Sequence, residues 1–250
     1  MKKLLTACGI LFFSFSAFAQ PSFGIHANGI MASIKEKNFA SLGEGSMDPD
    51  DPDFSAIRWK NKSKFSWKIG AAASFPISDN FSFMPQLNLL SKGGKMGYKM
   101  DEDFFGTTFK FDINSNITLT YLELPLNIVY NTESFFVGAG PSISYGLNGE
   151  YTMKMKYLIT DGVDTEEDQM SESEKIKFDN NDEADHPSLK PFEIGANFTA
   201  GYKFSNGLFI QGTANIGLNN ISPYENTSLK TRYFGIGIGY FFGSGYYVKK

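Results

Sequence analysis

The sequence predicts an all-β fold: an eight-stranded antiparallel up-and-down transmembrane β-barrel with short periplasmic turns and long external loops. Three observations carry that expectation. Apolar residues alternate strictly along many segments, as strands with one apolar face require. The opposite face of those strands is mostly Gly, Ser, Asn and Thr, where a sheet face in water would carry Lys, Glu and Arg. Small polar residues suit a narrow, crowded lumen, and the apolar face is then left to lipid. Finally, the connections alternate between tight and long, the asymmetry of barrels that cross a membrane.

Segment 117–149, ITLTYLELPLNIVYNTESFFVGAGPSISYGLNG, shows the first two features together. In its first arm Leu122, Leu124, Leu126, Ile128 and Tyr130 share one face, and Tyr121, Glu123, Asn127 and Val129 share the other. Its second arm sets Val137, Ala139, Ile143, Tyr145 and Leu147 against Gly138, Gly140, Ser142, Ser144, Gly146 and Asn148. A tight turn at 131–134 joins the arms into an antiparallel hairpin.

The remaining strands follow the same grammar. Residues 22–34 alternate Phe23, Ile25, Ala27 and Met31 with His26, Asn28 and Ala32. Residues 64–75 set Phe65, Trp67, Ile69, Ala71, Ala73 and Phe75 against Ser66, Lys68, Gly70, Ala72 and Ser74. After a turn at 76–80, Phe81, Phe83, Leu87 and Leu89 alternate with Ser82, Met84, Gln86, Asn88 and Lys92. The sixth strand, 192–204, turns at Ser205-Asn206-Gly207 into the seventh, 208–218, and the eighth places Phe234, Ile236, Ile238, Tyr240 and Phe242 opposite glycines and Phe241. Long external loops are expected at about 35–63, 93–108, 150–190 and 220–230. The third of these has eleven acidic residues against two lysines between Thr160 and His186 and no period, so it reads as a mobile loop. Aromatics crowd the tight-turn ends: Phe75, Phe81, Tyr130, Phe135, Phe136, Phe204, Phe209, Tyr240 and Phe242. They read as an interfacial girdle. Pro85, Pro125 and Pro141 interrupt three consecutive strands, where bulges are expected.

Composition agrees with one large domain of 250 residues, rich in Phe (25), Tyr (12) and Gly (25), with only 20% charged residues. No run beyond the start approaches the ~18 apolar residues of a membrane helix. The mean hydropathy is an ordinary −0.23, because lipid-facing residues fill alternate positions only. Residues 1–19 read as a cleaved signal peptide: Lys2 and Lys3, an apolar run, then Ala17-Phe18-Ala19. Leu5-Thr6-Ala7-Cys8 resembles a lipid-attachment motif, but too few apolar residues precede Cys8. Without Cys8 the mature chain, 20–250, has no thiol for disulfides, catalysis or metal. Loss of Lys2 and Lys3 moves the net charge from −4 to −6, which argues against nucleic acid as a partner.

The ordered set Phe81-x-Phe83-x-Pro85-x-Leu87, Tyr121-Leu122-Glu123-Leu124-Pro125-Leu126, Gly138-Ala139-Gly140-Pro141, Gly217-Leu218-Asn219-Asn220-Ile221, and Arg232 with Gly237-x-Gly239-Tyr240-x-Phe242 resembles the PorT-like family of outer-membrane β-barrel proteins. The resemblance implies an eight-stranded barrel in the outer membrane of a Gram-negative cell. The family's namesake takes part in exporting proteins to the cell surface, while most relatives have no assigned activity. The acidic third loop and the tail 243–250 depart from the family's pattern.

The lumen is expected to hold a structural charge network of Lys68, Glu123, Lys92, Glu193 and Lys203, with Lys68 and Glu123 paired, since an unpaired buried charge is costly. His26 reads as a lumen hydrogen-bonding residue. An eight-stranded barrel has room for side chains and little else, so a plug is favoured over an ion path. Asp185, His186 and Ser188 supply the residue types of a hydrolase, but in an acidic loop without a strained Gly-x-Ser-x-Gly elbow. Asp48-Pro-Asp-Asp-Pro-Asp53 lacks the glycine and final acidic residue of an EF-hand loop. No catalytic, cofactor or metal site is therefore assigned. The partners expected are outer-membrane lipid and envelope or secretion proteins, around a monomeric barrel. Three functions compete: a structural or secretion-associated barrel, a small diffusion channel and a lipid-modifying enzyme. Conductance separates the second, and loss of lipid modification on substituting His186 separates the third.

Overall fold

The computed structural model describes residues 21–37, 60–104, 107–161, 164–181, 186–225 and 227–242. The expected signal peptide, the Asp48–Asp53 run and the tail 243–250 lie outside them. Among the described residues ten strands form: β1 (Ser22–Lys37), β2 (Lys60–Lys62), β3 (Lys64–Pro76), β4 (Phe81–Phe104), β5 (Thr107–Asn131), β6 (Phe135–Asp161), β7 (Asp164–Ile176), β8 (Phe192–Lys203), β9 (Leu208–Gly217) and β10 (Ser228–Phe242). Eight of them close a ring in the order β1-β3-β4-β5-β6-β8-β9-β10, and β10 pairs back onto β1 from Phe242↔Phe23 to Ser228↔Lys37. All ring pairings are antiparallel. The two extra strands sit outside the ring, β2 on β4 and β7 on β6.

Burial decides which face looks where. Phe65, Phe135, Phe234 and Ile236 are between 62% and 75% exposed, whereas Asn88, Lys92, Glu123 and Asn127 are wholly buried. The apolar rows therefore line the outer wall, and the small polar rows face one another across the lumen. In water such a wall would be untenable; in hydrocarbon a closed ring pairs its strands edge to edge and leaves no open edge. Aromatic pairs edge the wall at the tight-turn end, with Phe81–Tyr130 ring centroids 5.3 Å apart and Phe135–Tyr202 5.0 Å apart. At the other end of the wall Tyr145 packs on Phe192 at 5.1 Å. Placing a charge between these belts is costly: Ile236→Lys is expected to destabilise the barrel by about 2–4 kcal/mol in lipid. The same change at Met170, also exposed but on β7, is expected to stay within about 0.5 kcal/mol. Urea titration in vesicles measures both.

Four sequence expectations change. Segment 93–108 and the 150–176 part of segment 150–190 are strand where described, not irregular loop: β4 and β5 pair out to Phe104↔Thr107, β5 and β6 to Thr107↔Asp161, and β6 and β7 to Asp161↔Asp164, while only the connection after Ile176 is irregular. The aperiodic impression arose because polar residues occupy both faces of β7, an edge strand with neither face covered. No register shift occurs at the three prolines. Rungs are instead missing opposite each of them on one side, at Ala73–Ser74, Leu124–Pro125 and Gly140–Pro141, and the register resumes unchanged. The register shift lies between Thr120 and Tyr121, opposite the extra residue Leu147, so Asn148 leaves the lumen row and is exposed. Phe136 and Phe209 are 4% and 3% exposed and point into the lumen, so they are not girdle residues.

Candidate functional site

The lumen is built in three layers. At the tight-turn end Phe136, Phe209 and Phe241 stack with centroids 6.1 and 4.9 Å apart, together with Ala72, Met84 and Val129. At the far end a second apolar layer joins Ile30, Leu90, Leu119, Tyr121 and Leu229 from the wall to Ile176 at the end of β7 and to Leu189 and Ile221 from the connections. Phe178 drops onto the missing side chain of Gly146 and meets Tyr121 edge-on at 5.3 Å. The connection after β7 is thus folded into the mouth as a roof, held by Leu189 N donating to Lys177 O and Lys190 N to Ile221 O, both 2.8 Å.

Between floor and roof lies the charge network. Lys92 Nζ reaches Glu193 Oε1 at 2.6 Å and stands 4.2 Å above the Tyr121 ring. The Thr231 hydroxyl donates to Glu193, with its Oγ1 2.8 and 3.0 Å from the two carboxylate oxygens. Lys68 and Glu123 do not form the direct pair expected from sequence. Lys68 Nζ donates to Thr213 Oγ1 (3.0 Å) and Tyr233 Oη (3.3 Å), and Tyr233 Oη donates to Glu123 Oε1 (2.7 Å), which also accepts from Asn88 at 3.3 Å. Tyr233 is the relay that sequence reasoning missed; its position among the inward β10 residues was the available signal. Lys203 sits lower, donating to Asn131 Oδ1 at 3.2 Å. His26 Nδ1 accepts from Asn28, whose Oδ1 accepts from Gln211 at 3.0 Å. Two lysines and two glutamates at mid-height balance, as a low-dielectric interior demands.

The hydrolase candidates assemble differently from a triad. Ser188 Oγ donates to Asp179 Oδ1 at 2.5 Å, and His186 Nε2 lies 2.9 Å from Asp179 Oδ2. Serine and histidine both contact the carboxylate, so His186 does not face the Ser188 hydroxyl as a triad requires; Asp185 lies outside the described residues. The cluster instead pins the roof. Hydrogen bonds from Ser188 and His186 hold the Asp179 carboxyl down to about 2 against an ordinary 3.8. A depressed carboxylate contributes its stability fully above the ordinary value and loses it as pH falls through the folded one. Amide exchange at residues 177–181 and 186–190 is therefore expected to stay slow down to pH 4, to rise as pH approaches 2, and to be fast already at neutral pH in Asp179→Asn. Among the described residues no group of three His, Cys, Asp or Glu side chains could hold a metal ion.

Beyond the wall the two faces of the sheet exchange chemistry. Past Leu89, Leu122 and Leu147 the inward row becomes Met96, Tyr98, Ile113, Met153, Met155 and Tyr157, while the outward row becomes Lys95, Lys99, Lys110, Asp112, Lys154 and Lys156. This inversion marks where hydrocarbon stops. The arms of β4, β5, β6 and β7 continue past it as one antiparallel sheet, roughly 12 residues or ~40 Å tall.

A closed ring with an apolar outer wall and a packed polar lumen defines a membrane-spanning β-barrel. Residues 18–222 match the family described as "Outer membrane protein beta-barrel domain", and the chain belongs to that family. Its place is accordingly the outer membrane. Among solved structures it is similar to Ail, the attachment invasion locus protein of Yersinia pestis (10% identity, 89% of this chain and 99% of that one, TM-score 0.36). It is also similar to Neisserial surface protein A (11%, 89% and 99%, TM-score 0.30) and to the N-terminal β-barrel domain of Pseudomonas aeruginosa OprF (11%, 89% and 100%, TM-score 0.26). No curated protein matches.

Proposed function

We propose that the protein is a non-catalytic platform: a sealed outer-membrane barrel that presents the β4–β7 sheet outside the cell, with both termini in the periplasm, to envelope or secretion proteins. The observation that carries this reading is the lumen, closed by apolar layers above and below a balanced charge network, beside a β4–β7 sheet that projects beyond the wall. A solute path would have to break both layers, and a triad hydrolase would need His186 to face Ser188, where it contacts Asp179 instead. The resemblance to PorT-like proteins adds a role in protein export as the finer form of the same reading. Planar-bilayer recordings are expected to show a flat trace, and a photocrosslinker at Tyr157 in intact cells is expected to capture a discrete envelope protein. Stepwise currents, or a lipid modification abolished by His186→Ala, would replace the platform with a channel or an enzyme.

A further inference from the structure

The geometry points to the outward face of the projecting sheet as a binding surface for the phosphorylated headgroups of outer-leaflet glycolipids. Lys95, Lys154 and Lys156 stand on this face, and Lys62 joins them because β2 pairs Lys62 with Lys95; Lys110 is also here, directly opposite Asp101 in the register. The cross-strand register aligns them in rows. Asn116 and Thr152 continue the Lys95 row, and Asn114 lies beside Lys154. Lys99 is committed to Asp112 at 2.7 Å, and Glu150 accepts from Ser173 at 2.9 Å, so these carboxylates are engaged within the sheet. Glu167 lies on β7, at the edge. By register, Lys62, Lys95, Lys99, Lys110, Lys154, Lys156 and Lys175 share this face with Asp101, Asp103, Asp112, Glu150 and Glu167, so it is net positive on a chain whose formal net charge is −4. Acidic residues of β7 that alternate with this row, such as Glu172 and Glu174, lie on the opposite face.

Placement selects the occupant. The face is a direct continuation of the lipid-contacting wall, starting a few residues above Leu89 and Leu122, so its lateral neighbours are headgroups of the same leaflet. Ammonium groups interleaved with amides and hydroxyls match phosphates and sugar hydroxyls together. A cation near an anionic membrane surface contributes on the order of 1 kcal/mol, so several acting together make a selective patch. This inference rests on the orientation proposed above, in which the sheet stands outside the cell.

The test uses the full chain in vesicles containing lipopolysaccharide. The triple variant Lys95→Gln/Lys154→Gln/Lys156→Gln is expected to retain about tenfold to a hundredfold less lipopolysaccharide than wild type. The corresponding arginine triple is expected to retain it, and Glu172→Gln/Glu174→Gln to change nothing. Wild-type retention is expected to fall with salt and with enzymatic removal of the glycolipid phosphates. Unchanged retention in the glutamine triple, or equal retention of dephosphorylated lipid, overturns the site; slower migration of unheated samples in gels checks that the variants fold. Lys154→Cys, labelled in intact cells with a membrane-impermeant maleimide, judges the orientation separately. Labelling only after permeabilisation sinks the outward orientation, whatever the purified protein binds.

Discussion

Replacing Lys92 by Met is expected to cost the barrel about 3–5 kcal/mol, seen as an earlier midpoint when Trp67 fluorescence follows urea unfolding in vesicles. The side chain is wholly buried, 2.6 Å from Glu193, in a layer capped above and below by apolar groups. Removing the cation leaves Glu193 with the Thr231 hydroxyl alone as a donor among the contacts described above. Water cannot readily replace the lost partner between two packed layers. The double variant Lys92→Met/Glu193→Gln keeps an acceptor for Thr231 and removes both charges, so it is expected to recover most of the loss. A single variant as stable as wild type would show that the pair is not desolvated. A double variant no better than the single would show that the cost is packing around Tyr121.

Gly140→Val is expected to have a larger effect, preventing most of the chain from reaching the folded, heat-modifiable form in vesicles. A Cβ at this position would lie 1.9 Å from the Leu126 carbonyl oxygen and 2.7 Å from its carbon. Both are backbone atoms of the neighbouring strand, so relief requires β5 and β6 to part. Overpacking a core usually costs about 1–3 kcal/mol because side chains can yield, and here the obstacle is main chain. The site also adjoins the rungs missing beside Pro141, where the two strands have the least pairing to spare. Gly212→Ala is the matched control, since its added carbon would find nothing nearer than 3.8 Å. Equal folding of the two variants would mean that the seam is looser than its geometry.

The wall was legible in the sequence because alternation is a property of single residues: Phe65, Trp67 and Ile69 announce their face without reference to any other strand. Ring closure followed from the spacing of the tight turns. The roof was not legible. Ile176, Phe178 and Leu189 are isolated apolar residues in an acidic stretch, and only the barrel mouth beneath them makes them a layer. Parity could have found Phe136 and Phe209, each one step out of phase with the lipid-facing row of its strand; aromatic character near a turn outweighed it. The lumen charges were identifiable as residue types, but their partners depend on height in the barrel. The Leu147 bulge and Tyr233, which stands between Lys68 and Glu123, set details that strand-by-strand counting does not resolve.

The seam between β1 and β10 joins the two extremes of the described chain, Phe23 with Phe242. Those partners are more than two hundred positions apart, so the last rungs to form carry the greatest loop-closure entropy of any in the molecule. Until the final strand arrives, β1 offers an open edge and the wall is an unclosed ribbon with polar backbone facing lipid. A copy lacking β10 would therefore leave the facing edges of β1 and β9 unpaired in hydrocarbon, where each unsatisfied backbone group costs several kcal/mol.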